Sequence, residues 1–159
     1  MSILVSLSYN FKMQTFMPIA DYELSALHLD NKRLGKQRVE CLQLLNVNLP
    51  LRFPQFEYKS KGWVNHPAAK MWRGHESQLI SYTKFICGEW IRRGYKDTIL
   101  PRMNALESEL QISDPIPSWI GDDKLHASHR SNLLRKFPEW YNQFGWSESS
   151  DLPYIWPVQ

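Results

Sequence analysis

The sequence predicts an all-α fold, a compact single-domain helical bundle with long connecting loops. Apolar residues recur at helical spacing in several segments, and no segment shows the period of two expected of a half-buried strand. Internal repeats and low-complexity tracts are absent as well. The 159 residues, 43% of them hydrophobic, suffice for one core and are few for two domains.

Residues 1–12 read as an N-terminal extension or upstream start, because Met13-Gln-Thr-Phe-Met-Pro has the character of a natural beginning; an ordered strand or arm is the other reading. Residues 13–159 then form the single domain. A short helix is expected from Asp21 to about Leu29, with Leu24, Leu27 and His28 on one face. The next, from about Asn31 to Val47, carries an apolar stripe of Leu34, Cys41, Leu42 and Leu45, while Arg33, Lys36, Gln37 and Glu40 fall together on another face.

Residues 49–65 contain Pro50, Pro54 and Gly62 and read as a loop bearing Phe53, Phe56, Tyr58 and Trp63. Pro67 suits the first position of a short helix reaching Trp72. The most periodic segment is His75 to Arg93, where Leu79, Tyr82 or Thr83, Ile86 and Trp90 mark one face and Arg92-Arg93-Gly94 supplies a cationic last turn and a stop. Another helix is expected over Pro101 to Leu110, then a proline-rich turn from Asp114 to Gly121, then a basic helix from about Lys124 to Lys136. Aromatic residues crowd the tail after Pro138.

The formal charge of +3 is compatible with a polyanionic partner. Seven residues each of Trp, Tyr and Phe build a core on large rings or hold some rings for stacking on a ligand. Cys41 and Cys87 lie inside apolar helical stretches, which predicts reduced, buried thiols and a cytoplasmic location. The start lacks a basic n-region and a cleavage site, and no apolar run is long enough for a bilayer, so a soluble protein without a membrane partner is expected. No Walker-type loop, dinucleotide-binding turn, G-x-S-x-G or deaminase zinc signature is present, and no cofactor is implied.

Three constellations could carry chemistry. In Lys32-Arg33-Leu-Gly-Lys36-Gln-Arg38-Val-Glu40, four cations surround one acid. Lys36 and Glu40 form an ordinary pair on a solvated face, or Arg33, Lys36 and Arg38 grip phosphates while Glu40 does proton or charge-stabilising work. In Asn65-His66-Pro67 and Trp72-Arg73-Gly74-His75, the histidines are caps and packing groups, or His66, Arg73 and His75 donate to phosphates. The third runs from His126 to Lys136. His126 and His129 are three apart, yet no second ligand pair supports a metal site, and phosphate gripping by His129, Arg130, Arg135 and Lys136 is the preferred use. Trp72, Trp140 and Tyr141 are core rings or a base-stacking wall.

Met13-Gln-Thr-Phe, Leu29-Asp-Asn-Lys-Arg-Leu-Gly-Lys-Gln-Arg-Val-Glu40, Asn65-His66-Pro67, Met71-Trp-Arg-Gly-His75, Glu89-Trp-Ile-Arg-Arg-Gly-Tyr95, the run from His126 to Lys136 and Pro138-Glu-Trp-Tyr141 together resemble the pyrimidine-dimer DNA glycosylases of the endonuclease V type, in a branch of phage and bacterial sequences. The resemblance implies an all-α protein that binds duplex DNA and flips a nucleotide out; a monomer is expected. It also implies attack on the sugar C1′ by an N-terminal α-amine, giving an imine that permits strand cleavage. It points to Glu40 as the carboxylate that stabilises charge on the sugar, Arg38 as a neighbouring cation and Met13 as the source of the amine. In the family the acid directly follows an arginine; here Val39 intervenes, a rotation of about 100° around a helix. A non-catalytic DNA-binding module using the same basic face is the alternative. A metal-dependent nuclease lacks the acidic cluster that divalent cations need.

Overall fold

Helix is the regular structure throughout: seven α-helices and a closing 3-10 turn, with no strand among the described residues. The structure is a computed structural model that describes residues 13–58 and 62–158; the proposed extension over residues 1–12 lies outside the described residues. In chain order the helices are α1 (Tyr22–His28), α2 (Asn31–Arg52), α3 (Pro67–Trp72), α4 (Glu76–Arg92), α5 (Leu100–Leu110), α6 (Asp123–Lys136) and α7 (Pro138–Tyr141).

Local chemistry explains the starts. Asp21 caps α1 by accepting from Leu24 N–H, Asp122 caps α6 through Lys124 N–H, and His66 Nδ1 accepts from Ala68 N–H ahead of Pro67. Asp97 accepts from both Ile99 and Leu100 N–H at the start of α5. α2 runs past the expected end at Val47 and through Pro50. Tertiary anchoring holds that last turn: Arg52 donates to Glu76 at 2.7 Å and to Asp114 at 3.0 Å, while Val47 and Leu49 are buried.

α2 and α4 form the centre, and they approach closely where Gly35 faces Trp90; a Cβ at Gly35 would lie 2.7 Å from the indole. Trp72 stacks on Tyr82 at 5.7 Å and meets Trp119 edge-on at 5.0 Å, all three in the core. Cys41 and Cys87 are buried and unbridged. No described helix is long and apolar enough to cross a membrane.

The segment ahead of α1 is an extended, mostly buried arm whose backbone is satisfied by side chains rather than by a neighbouring strand. Gln37 donates to Gln14 O and accepts from Phe16 N–H; Tyr154 OH donates to Thr15 O and Tyr82 OH to Phe16 O. Two histidines one helical turn apart on α6 hold Met17 from both sides. His129 Nδ1 accepts from Met17 N–H at 3.0 Å, and His126 Nδ1 donates to Met17 O at 2.8 Å. The arm is thereby wedged between α2 and α6, and it brings its own backbone to the site described next.

Candidate active site

The polar stripe of α2 faces this arm. Lys32, Arg33, Lys36, Gln37 and Glu40 line a cleft of about 230 Å³ together with Gln14 and Phe16 from the arm and Lys136 from the end of α6. The floor is the Glu40 carboxyl, 8% exposed as a residue. Its Oε2 accepts from Gln14 N–H at 3.0 Å, and its Oε1 lies 3.9 Å from Lys36 Nζ. Burial pushes this carboxyl up to about 7, only partly opposed by the Gln14 N–H and by Lys36 and Lys136. A carboxyl poised near neutrality can hold a proton at one stage and a charge at the next, as a general acid requires.

The cations are arranged in two ways. Arg33 is fixed to Asp30, which in turn accepts from Tyr141 OH, so its guanidinium is pre-positioned at the rim. Lys36 has an exposed side chain and can follow a phosphate. Lys136 is drawn below the ordinary lysine range by desolvation and by the neighbouring Arg33, Lys36 and Arg135, with Glu40 opposing.

Among the residues singled out in the sequence, the cleft therefore unites Glu40, Arg33, Lys36 and Lys136, with Arg135 beside it. Met13 is buried next to Gln14 in the chain and does not itself line the cleft. The remaining residues have other engagements. Arg38 turns away from Glu40, pairs with the buried Asp97 and covers the Trp90 ring at 4.7 Å, which is where the single-residue offset created by Val39 sends it. His129 is fully buried against the arm and stacked on Tyr154 at 4.3 Å, so a phosphate cannot reach it without unfolding α6 from the arm. Burial above all, and then the neighbouring His126 and Arg130, drive its imidazole down to about 3, hence neutral.

Arg130 is tied to Glu148 and to Pro18 O. Arg135 donates to Ser150 O at 2.7 Å and remains exposed. His66 is the buried cap of α3, Arg73 is held by Asn48 Oδ1 and Val64 O, and His75 donates to Pro115 O. Trp140 donates its indole N–H to His28 O and lies 5.7 Å beneath the Arg93 guanidinium. Trp72 and Tyr141 are core residues, the first of the two uses that the sequence left open. The histidine pair His126 and His129 is occupied by Met17, and Gly121 N–H donates to His126 Nε2.

Sequence reasoning gave no site role to Gln14, Phe16, Lys32 or Asp30, although all four stand in the motifs that carry the family resemblance. Gln37 and Lys32 carried a readable signal, being on or beside the charged stripe of the same helix. For Gln14 and Phe16 that motif was the whole signal, since nothing local says that an extended arm returns to that stripe.

The family described as pyrimidine dimer DNA glycosylase matches this chain over residues 13–102, a span that includes the arm and all of α2. No curated protein and no solved structure matches.

Proposed function

Since the chain belongs to the pyrimidine dimer DNA glycosylase family, we propose that the cleft around Glu40 is where it excises a damaged or modified pyrimidine from duplex DNA. One observation carries this reading: a buried carboxyl with its proton held near neutral pH sits at the bottom of a cleft rimmed by Lys32, Arg33, Lys36 and Lys136. Phosphates supply the ligand that four cations require, and counterion release supplies much of the affinity. The cations keep the backbone at the rim, and a nucleotide turned out of the stack brings its sugar towards Glu40.

There the carboxylic acid gives its proton to the ring oxygen as the sugar opens. The carboxylate left behind stabilises the positive charge that develops at C1′. Lyase activity needs an amine at the same place. An α-amine at Met13, in a chain begun there, is adjacent in sequence to the Gln14 nitrogen that Glu40 holds, within about 3.8 Å from Cα to Cα. Such an amine, with a pKa of about 7.7 to 8.0, is partly unprotonated at neutral pH.

The test is incubation with ultraviolet-irradiated duplex, with alkali-revealed breaks reporting base loss and gel shift reporting binding. Base release dependent on irradiation is expected. Binding without any base release selects the DNA-binding module instead.

A further inference from the structure

Three backbone groups of the arm face α2 from one edge: Gln14 N–H, Gln14 C=O and Phe16 N–H, spaced as residues i and i+2 of an extended segment must be. Two side chains one turn apart on that helix meet all three. Glu40 Oε2 accepts from Gln14 N–H at 3.0 Å, while the Gln37 amide donates to Gln14 O at 2.9 Å and accepts from Phe16 N–H at 2.9 Å. Gln37, buried in full, thus gives the arm the donor and the acceptor that one residue of a parallel strand would give it. The pairing fixes the amide's orientation, since a flipped amide would set nitrogen against N–H and oxygen against carbonyl.

Resting on the glycosylase reading, we propose that Gln37 is a positioning residue for the acid: by holding residues 14 and 16 it keeps Gln14 N–H on Glu40 Oε2 and so leaves the acidic proton to Oε1, the oxygen on the Lys36 side. A carboxyl oxygen that accepts from a backbone N–H serves as the carbonyl oxygen of the protonated group, which places the hydroxyl at the other. Oε1 lies 3.9 Å from Lys36 Nζ, beyond hydrogen-bond length, so it is not committed to that ammonium. When the Oε1–H bond breaks and the proton passes to the ring oxygen of the sugar, the same Gln14 N–H stabilises the carboxylate that remains.

The rest of the arm is held independently of Gln37. Tyr154 takes Thr15 O, Tyr82 takes Phe16 O, and the two α6 histidines take Met17. Loss of the amide therefore releases the end of the arm beside Glu40 while the remainder stays docked. It also leaves in place the titratable and charged groups that bear on Glu40: Lys32, Arg33, Lys36 and Cys41 on its own helix, Lys136 on α6, Tyr82 on α4 and Tyr154 in the tail.

The test follows the Gln14 backbone amide of the full chain by nitrogen-15 NMR across pH, with base release from irradiated duplex measured over the same range, in wild type, Gln37→Met, Glu40→Gln and the double variant. In wild type the Gln14 amide should titrate at the pH where base release declines, and Glu40→Gln should abolish that titration. In Gln37→Met the Gln14 response should be lost and the decline should move about one pH unit higher, because the N–H that favours the carboxylate has gone. Below the decline, base release should fall about tenfold at unchanged DNA affinity. In Glu40→Gln, which has no proton to direct, adding Gln37→Met should cost nothing further. A decline at the wild-type pH in Gln37→Met, or a further tenfold loss in the double variant, overturns the assignment and makes Gln37 a packing group of the arm. A wild-type Gln14 amide indifferent to Glu40 overturns it too, whether or not a variant folds. A Gln14 titration that Gln37→Met removes, without base release from any irradiated or modified duplex, overturns the glycosylase reading and keeps the role of the amide.

Discussion

Two glutamates with cations four residues away meet opposite fates in this molecule. At the end of α4, Glu89 accepts from Arg92 Nε at 2.7 Å and Nη2 at 2.6 Å and from Arg93 Nε at 2.7 Å. Burial pushes its carboxyl up, but those guanidinium hydrogen bonds more than offset the push and hold it below the usual carboxylate range. On α2, Glu40 has a single lysine at 3.9 Å and one backbone N–H, and burial prevails. Order along the helix contributes as well: an acid N-terminal to its cation pairs better than the reverse, and Glu89 precedes Arg93 whereas Glu40 follows Lys36. Charge spacing alone therefore does not separate a structural ion pair from a reactive acid. The number and geometry of the donors do.

The largest effect expected from disturbing this contrast is on the structural side. Arg93, 12% exposed in its side chain, also donates to Leu29 O and Asn31 Oδ1 and so ties α4 to the α1–α2 junction. Glu89→Ala leaves that guanidinium without its carboxylate and is expected to cost about 3 kcal/mol in chemical denaturation. Activity per folded molecule should be unchanged; a stable but inactive Glu89→Ala protein would make the two sites alike.

On the reactive side, Glu40→Gln keeps an acceptor for Gln14 N–H but has no proton to give. Base release should fall about a hundredfold, or roughly 2.7 kcal/mol of barrier, while DNA affinity is kept or improved. Full turnover by this variant would remove Glu40 from the chemistry.

pH should divide the pair more finely. The folded pKa of Glu40 is raised, so the stability linked to it is fully present below about 4.5, the ordinary carboxyl value, and is lost as pH rises towards about 7. Glu89 has a lowered pKa, so its contribution is present above the ordinary carboxylate range and disappears as pH falls below it. Thermal melts of Glu40→Gln and Glu89→Gln across pH, each compared with wild type, should therefore diverge in opposite directions. Base release, if it uses the protonated acid, should decline above pH about 7.

The smallest effect is reserved for Lys36. Lys36→Gln removes an exposed, long ion pair and should alter stability by only a few tenths of a kcal/mol. It should nonetheless reduce the salt slope of DNA binding by about one unit. A stability loss as large as that of Glu89→Ala would show that the two pairs are equivalent after all.

Much of the architecture was legible from local pattern. Apolar spacing found α2 and α4, Pro67 marked the start of α3 and Gly94 the end of α4, because these depend on neighbours within one turn, whereas Leu24 and Leu27, the apolar face expected of α1, are exposed. The stripe of Arg33, Lys36, Gln37 and Glu40 was visible for the same reason, and so was the candidate acid.

What each charged or aromatic side chain would do was settled elsewhere. Arg38 found Asp97, 59 residues away, and His129 found Met17, 112 residues away. Basic residues that looked alike in the sequence became a buried brace, a cap or a cleft wall according to which distant partner reached them first. The arm shows the same division. Met13-Gln-Thr-Phe reads as a beginning, but only side chains brought by α2 and α6 turn it into an inserted arm whose backbone nitrogen meets Glu40. The physical reason is one of range: periodicity and capping act over about four residues, whereas burial and ion pairing depend on groups that only the folded chain brings together.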